Sequence, residues 1–420
     1  MSTKKQINRI AMLSTHGYFD PVPQLGQTDT GGQVVYVLEL SKALSRMGYK
    51  VDIYTRWFDK TRKQIDPVPK HPDVKVIRIP AGPWEFIPKE NIYDVLPELA
   101  NNMIDFIKEK NLDYDLFHGH YVDAGIVALD VAKAFDKPAF FTAHSLGAWK
   151  KEDMGGDPEE MEEKYNFKKR INEEIRIFKS VNAHSLTSDV QKEKLKELYG
   201  IEDPTIEIIP PGVDIHTYNK PDDTKKSSSD LPDKYIFCLS RIDANKGHDL
   251  LLNAFDIVSK EIDDIHLVIG GGSPNPKPRE KEVYDNMKKI IKEKNIERVH
   301  IIGYVPDDKL VQYYQQAEFF VLPSIFEPFG MTSQEAMACG KPVIASKYGG
   351  IKQILSHNKN GFLVDPKNSQ EFADAMIKLL KDDNLKQRLG DEANRIIQEE
   401  YSWEAMAEKH INFYQKNYNN

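Results

Sequence analysis

The stretch "FEPFGMTSQEAMACG", residues 326–340, holds two carboxylates, Glu327 and Glu335, in a run rich in Phe, Met, Ala and Gly. Carboxylates that flank bare backbone N–H groups, here those of Phe329, Gly330 and Met331, suit a hydroxyl-rich ligand such as a sugar beside a ribose. Glu335 has a plain alternative, because Thr332-x-x-Glu335 spells a capping box whose carboxylate reaches back to the helix start. Glu327 has none. In "LSRIDANKG" two cations, Arg241 and Lys246, follow the strand-like "YIFCLS". Cations so placed suit a diphosphate, although a solvated loop pairing with Asp243 or Asp249 is the plainer reading of that motif alone.

A second group lies nearer the N-terminus. "THGYFDPVPQLGQTDTGGQ" ends in Gly31 and Gly32, followed by Gln33, where a strongly patterned helix begins. Glycines there let backbone N–H groups approach an anion at a positive helix end; the alternative is a tight turn with Asp29 or Thr30 as N-cap. Lys89 in "FIPKE", Tyr121 and Asp123 in "HGHYVDAG", His144 in "TAHSLG", and Lys169 with Arg170 in "NFKKRI" fall in or near loops after strands and point to a second substrate. Their ordinary readings are a surface lysine, a capping aspartate, a buried neutral histidine and a solvated basic helix face. His118-x-His120 lacks a third ligand nearby, so no metal site is expected. "GQTDTGG" lacks the Lys and Ser/Thr of a P-loop, and no G-x-G-x-x-G follows a strand, which disfavours ATPase and dehydrogenase chemistry.

What positions these residues is an alternation of short apolar runs and amphipathic ones. "RIAMLS", "KVDIYT", "VKVIRIP", "LFHGH", "AFFTAH", "AHSLTS" and "IEIIP" read as strands, with helical patterns between most of them. "IIPPGVD" halts the pattern, the polar "KPDDTKKSSSDLPDK" follows, and a second set begins: "YIFCLS", "HLVIGG", "VHIIGY", "EFFVLPS", "PVIAS" and "GFLVDP". This predicts an α/β chain of two doubly wound Rossmann-like domains, 1–210 and 211–402, with 403–420 a candidate to pack back on the first. A length of 420 residues agrees with two domains. Ligands of such sheets bind beyond the carboxyl ends of the strands, so the expected site is a cleft between the two.

The net charge of −8 argues against nucleic-acid binding. The N-terminal apolar run is too short for a leader or a membrane span. Cys238 and Cys339 sit in apolar runs and read as buried thiols, so a cytoplasmic location is expected.

Taken together and in this order, "DTGGQVVYVLEL", "AHSLG", "IIPPGVD", "SRIDANKG" and "EPFGMTSQE" with seven residues between its glutamates resemble the retaining GT-B glycosyltransferases that include sucrose-phosphate synthase and sucrose synthase. "STHGY", "FIPKE", "HSLGAWKK" and "YNFKKRI" bring the chain nearest to the mannosylfructose-phosphate synthases among them. The resemblance implies transfer of a hexose from GDP-mannose or UDP-glucose to fructose 6-phosphate, with no cofactor and no required metal. It implies Arg241 and Lys246 on the donor diphosphate, Glu327 with the amides of Phe329, Gly330 and Met331 on the donor sugar, and Glu335 on the ribose. Gly32 and Gln33 would lie beside both substrates, and His144 near the reacting carbon. Lys89, Tyr121, Lys169 and Arg170, with Asp123 close by, would recognise the phosphorylated acceptor. No phosphatase domain is visible, so a separate phosphatase is expected to act on the product. "IGGGSPNPKPRE", residues 269–280, is longer than the usual glycine turn of the family and leaves the base open. Three other readings have the same architecture: a glycosyltransferase with an unphosphorylated or other acceptor, a non-catalytic nucleotide-sugar sensor, which would not need the full set of charged groups, and a phosphorylase with pyridoxal phosphate, for which no lysine motif is found.

Overall fold

The computed structural model describes residues 7–23, 31–203, 205–221, 231–273, 278–325, 327 and 329–419. Asp29 and Thr30, the alternative caps, lie outside the described residues, as do most of the polar stretch after "IIPPGVD" and residues 274–277 of the glycine loop. The chain divides into two compact units, Met1–Gly212 with Trp403–Asn420, and Val213–Ser402.

The first unit carries strands β1 (Arg9–Leu13), β2 (Lys50–Trp57), β3 (Ile65–Val68), β4 (His71–Pro80), β5 (Leu116–His120), β6 (Ala139–Thr142), β7 (Ala183–Leu186) and β8 (Glu207–Ile208). Its helices are α1 (Gly32–Arg46), α2 (Leu96–Glu109), α3 (Val122–Phe135), α4 (Gly147–Met154), α5 (Pro158–Tyr165), α6 (Phe167–Phe178) and α7 (Asp189–Tyr199). The strands lie in the order β3-β4-β2-β1-β5-β6-β7-β8, parallel except for β3. Parallel strands are covered on both faces and therefore read as continuous apolar runs; β1, β5, β6 and β7 are buried almost throughout. The direction of winding reverses between β1 and β5, and the loops leaving those two strands are where a ligand belongs.

The second unit contains β9 (Tyr235–Leu239), β10 (His266–Gly270), β11 (Val299–Gly303), β12 (Phe319–Leu322), β13 (Val343–Ser346) and β14 (Gly361–Val364). Between them run α8 (His248–Glu261), α9 (Pro278–Lys294), α10 (Asp307–Gln316), α11 (Met331–Ala338), α12 (Ser369–Lys381) and α13 (Asp383–Glu400). The sheet is wholly parallel in the order β11-β10-β9-β12-β13-β14, the doubly wound order with its reversal between β9 and β12. Ile236, Cys238, Leu251, Phe255, Leu267, Ile269, Phe319 and Ile344 form its core. Cys238 and Cys339 are free buried thiols, both pushed up to about 12 by burial.

The last helix, α14 (Trp403–Asn417), belongs to the first unit. Its buried face of Trp403, Met406, Ala407, His410, Ile411, Phe413, Tyr414 and Asn417 follows helical spacing and packs beside α1, where Tyr36 meets Trp403 edge-on and bonds His410. Among the described residues no helix is long and apolar enough to cross a membrane.

The tightest glycine approach among the described residues of the second unit is at Gly271. Gly271, just past β10, has φ +122, and a β-carbon added there would lie 1.7 Å from the Ser240 carbonyl oxygen. Gly303, at φ +72, faces open space. Gly271→Ala should therefore lower the unfolding free energy by about 3 kcal/mol or more, and Gly303→Ala by only about 1 kcal/mol. Denaturant titration of both variants checks this; equal costs would contradict the close approach.

Candidate functional site

In the second unit the loops leaving β9 and β12 meet at the reversal point. Gly247, at φ +68, brings one loop against the other so closely that a β-carbon there would lie 2.3 Å from the Pro323 carbonyl oxygen. The Ile325 N–H donates to the Asn245 carbonyl at 2.9 Å. This docking places the Lys246 ammonium, only 6% exposed, 2.5 Å from Glu327 Oε2, with Ser324 Oγ at 3.4 Å from the same oxygen. Lys246 thus pairs with Glu327 rather than with Asp243 or Asp249. Arg241, on the same loop, is exposed and has no side-chain partner among the described residues. Phe329 and Gly330 are buried, and among the described residues the N–H groups of Phe329, Gly330 and Met331 donate to nothing.

The capping box that was the plain alternative for Glu335 does not form. The N-cap of α11 is Gly330, at φ +86 and with no side-chain cap, so Thr332 falls inside the first turn. Glycine adopts this left-handed turn without strain, which moves the helix start two residues earlier. Glu335 instead accepts the Tyr314 hydroxyl at 2.7 Å. Burial pushes its carboxyl up to about 7, the Tyr314 hydrogen bond opposes the rise and Asp307 adds to it.

In the first unit the loop after β1 and the start of α3 converge on Asp123, which is fully buried. Its carboxylate accepts the Thr15 hydroxyl, and His16 Nδ1 lies 2.9 and 3.0 Å from its two oxygens. Burial alone would raise this carboxyl, but His16 and Thr15 hold it below its usual range. Tyr121, beside it, has φ +77 and ψ 165, a conformation close to glycine-only and so a marker of a constrained position. The Arg170 guanidinium lies 4.6 Å from the Tyr121 ring centroid.

Arg170 is itself buried, with Nε donating to Glu174 Oε1 at 2.8 Å and a terminal nitrogen to Ser145 O and Oγ at 2.9 and 2.8 Å. Lys89 Nζ stands 3.6 Å from Glu90 Oε1. Burial pushes the Tyr121 phenol up to about 12, against the opposing fields of Arg170 and Lys89. Lys169 does not join them: it is exposed, 3.5 Å from Glu173 on its own helix. Gly32 opens α1 behind an extended Gly31 with no side-chain cap, and Gln33 Nε2 donates to the His120 carbonyl at 3.0 Å.

His144, at φ +56, sets Nε2 2.9 Å from His120 Nδ1 and meets Tyr36 edge-on. Burial holds it down at about 3, with His16 and His410 adding, so the ring is neutral near pH 7. His118 bonds Tyr414 and Thr142. No group of three or more His, Cys, Asp or Glu able to hold a metal occurs among the described residues. The sequence reading missed His16, Thr15, Glu174 and Tyr314. The i,i+4 spacing of Arg170 and Glu174 was a usable signal; Tyr314, 21 residues before Glu335, left none.

Two doubly wound units, each with its polar groups at the reversal of its sheet, define an enzyme of the GT-B type. Residues 219–415 match the family of glycosyl transferases group 1, and residues 30–217 match glycosyltransferase family 4. The chain is 36% identical to mannosylfructose-phosphate synthase of Agrobacterium fabrum, over 97% of this chain and 91% of that protein. It is 32% identical to D-inositol 3-phosphate glycosyltransferase of Corynebacterium jeikeium, over 95% and 94%. The solved sucrose-phosphate synthase of Thermosynechococcus elongatus superposes with a TM-score of 0.80 at 28% identity, covering 97% of this chain and 98% of that one. The chain belongs to the group 1 glycosyltransferases of GT-B fold, and within them it is a hexosyltransferase of the sucrose-phosphate and mannosylfructose-phosphate synthase type.

The raised Glu335 carboxyl has a pH signature. Between its ordinary 4.5 and about 7 the folded unit holds a proton that the unfolded chain has released, so this contribution is present at low pH and lost as pH rises through 7. Glu335→Gln should therefore resist denaturation better than wild type at about pH 8, with the margin closing as pH falls toward 4.5. A margin that does not change with pH would contradict the burial of the carboxyl.

Proposed function

We propose that this enzyme moves a hexose, with retention at its anomeric carbon, from GDP-mannose or UDP-glucose to fructose 6-phosphate in the cytoplasm, releasing a phosphorylated disaccharide. The observation that carries the acceptor half is the buried Arg170 guanidinium set over the strained Tyr121 ring and bonded to Ser145, a positive, hydrogen-bonding corner suited to a phosphate. The names of the relatives favour the same chemistry, since all three concern a phosphorylated small polyol or its glycoside.

In this reading Arg241 and Lys246 meet the donor diphosphate. A nucleoside diphosphate leaves readily once its charge is compensated, and fixed cations with oriented N–H groups supply that compensation without reorganising. Glu327 and the amides of Phe329, Gly330 and Met331 take hydroxyls of the hexose, and Glu335 takes the ribose. His144 lies against the hexose, Gly32 and Gln33 between the substrates, and Asp123 beside the acceptor. No cofactor or metal is invoked. Same-face attack needs no protein nucleophile, and the phosphate on the product is left for a separate phosphatase.

A second acceptor class rests on the likeness to the inositol-phosphate enzyme. The deciding experiment is a product assay of purified protein with each sugar nucleotide against fructose 6-phosphate, fructose and inositol 3-phosphate. Transfer to fructose 6-phosphate is expected, and transfer only to inositol phosphate or only to an unphosphorylated sugar would overturn the acceptor proposed.

Lys89 is a cleaner probe of the phosphate than Arg170, whose removal would strand buried Glu174. Lys89→Ala should raise the KM for fructose 6-phosphate about tenfold, as expected for one charge-assisted contact, and leave any turnover with fructose unchanged. Lys246→Ala should lower kcat about 100-fold or more if the ammonium stabilises the leaving diphosphate, with the circular dichroism spectrum retained; wild-type turnover would remove Lys246 from the mechanism.

A further inference from the structure

His120 and His144 share a single hydrogen across 2.9 Å, between Nδ1 of the first and Nε2 of the second. Burial keeps both rings neutral, so each has one N–H and one lone pair. The other nitrogen of His120 decides which ring donates. His120 Nε2 lies 3.3 Å from Met12 Sδ in β1, and a thioether accepts hydrogen bonds but never donates one. A lone pair at Nε2 would face the sulfur lone pairs with no donor between them, whereas a proton there makes an N–H···S contact. His120 is therefore protonated at Nε2 and accepts at Nδ1, and the shared hydrogen belongs to His144 Nε2. That leaves His144 Nδ1 bare, and among the described residues it has no partner.

The surroundings allow no competing pin. His120 is fully buried, with His118 stacked on it at 4.1 Å, and His118 itself bonds two hydroxyls, Tyr414 and Thr142, which can each donate or accept. Among the described residues, Met12 is the one hydrogen-bond neighbour of His120 with a fixed sign.

We propose that Met12 and His120 are positioning residues that lock His144 in its Nε2–H tautomer, so that Nδ1 presents a lone pair to a hydroxyl of the bound hexose. This rests on the reading that His144 lies against the donor hexose. The consequence is a requirement for a hydrogen-bond donor: a hexose whose facing hydroxyl is replaced by hydrogen or fluorine leaves the lone pair unmet and binds less well.

Histidine-selective nitrogen labelling of the full chain, with long-range proton–nitrogen correlation spectra, reads the tautomer directly. The His144 signals are assigned by their loss in His144→Gln. The expected pattern is Nε2–H with a bare Nδ1 at both His144 and His120; a proton on His144 Nδ1 overturns the proposal. Met12→Leu keeps the volume and removes the acceptor, so both tautomers of His144 should appear while the melting temperature changes little. An unchanged single tautomer in that variant overturns the role of Met12. In the transfer assay Met12→Leu should lose about threefold to tenfold in kcat/KM, the size of one weakened hydrogen bond; unchanged kcat/KM overturns the link to the hexose. The spectra need no turnover, so a chain with the expected tautomer and no hexosyl transfer would refute the proposed function and leave the lock standing.

Discussion

The second unit depends on one ion pair, a buried Lys246 with a half-buried Glu327, formed between the loops that leave β9 and β12 at the sheet reversal. Taking two charges out of water is costly, and such a pair is a poor source of stability: a well-packed apolar pair would do as well or better. Removing one member, however, strands the other at a cost of about 3 to 5 kcal/mol. A pair of this kind is best understood as a site held ready. It keeps an ammonium and a carboxylate in fixed positions at a strand's carboxyl end, where a doubly wound sheet receives its ligand. Gly247 makes it possible, because only a residue without a β-carbon lets the Lys246 loop approach the Pro323 carbonyl.

The fold was legible in the sequence because parallel strands are buried on both faces. "YIFCLS" and "EFFVLPS" announce themselves as strands without any alternation. β3 was not legible: "IDPV" is short, half exposed and contains proline, and it pairs antiparallel at the sheet edge, where burial leaves little imprint. The helix start at Gly330 was misread for a local reason. Thr332-x-x-Glu335 satisfies the capping-box pattern, but a glycine two residues earlier can take a left-handed turn that no side-chain pattern reveals.

The site was legible in its residue types and not in its pairings. Lys246 and Glu327 are 81 residues apart, and only the strand order joins them. Sequence reasoning gave Arg170 a ligand role without seeing that Glu174 and Tyr121 already surround it, although the first partner stands one helical turn away. Lys169, its neighbour, shows the opposite outcome: the ordinary solvated helix face accounts for it. Histidines were the hardest to place, since a buried neutral imidazole and a ligand-facing one look alike in sequence. His120 is fully buried in β5, whereas His144 stands in a loop at φ +56 and is partly exposed.

Two carboxylates separated by seven residues thus meet different partners. Glu327 meets the buried Lys246 ammonium at 2.5 Å. Glu335 meets a neutral phenol and an additional anion at Asp307, and burial raises its carboxyl to about 7. An ionised carboxylate accepts hydrogen bonds only, whereas a carboxyl poised near neutrality can donate or accept. A single short segment therefore holds two carboxylates in different settings, because α11 begins at Gly330, which carries Glu335 toward Tyr314 and leaves Glu327 on the loop beside Lys246.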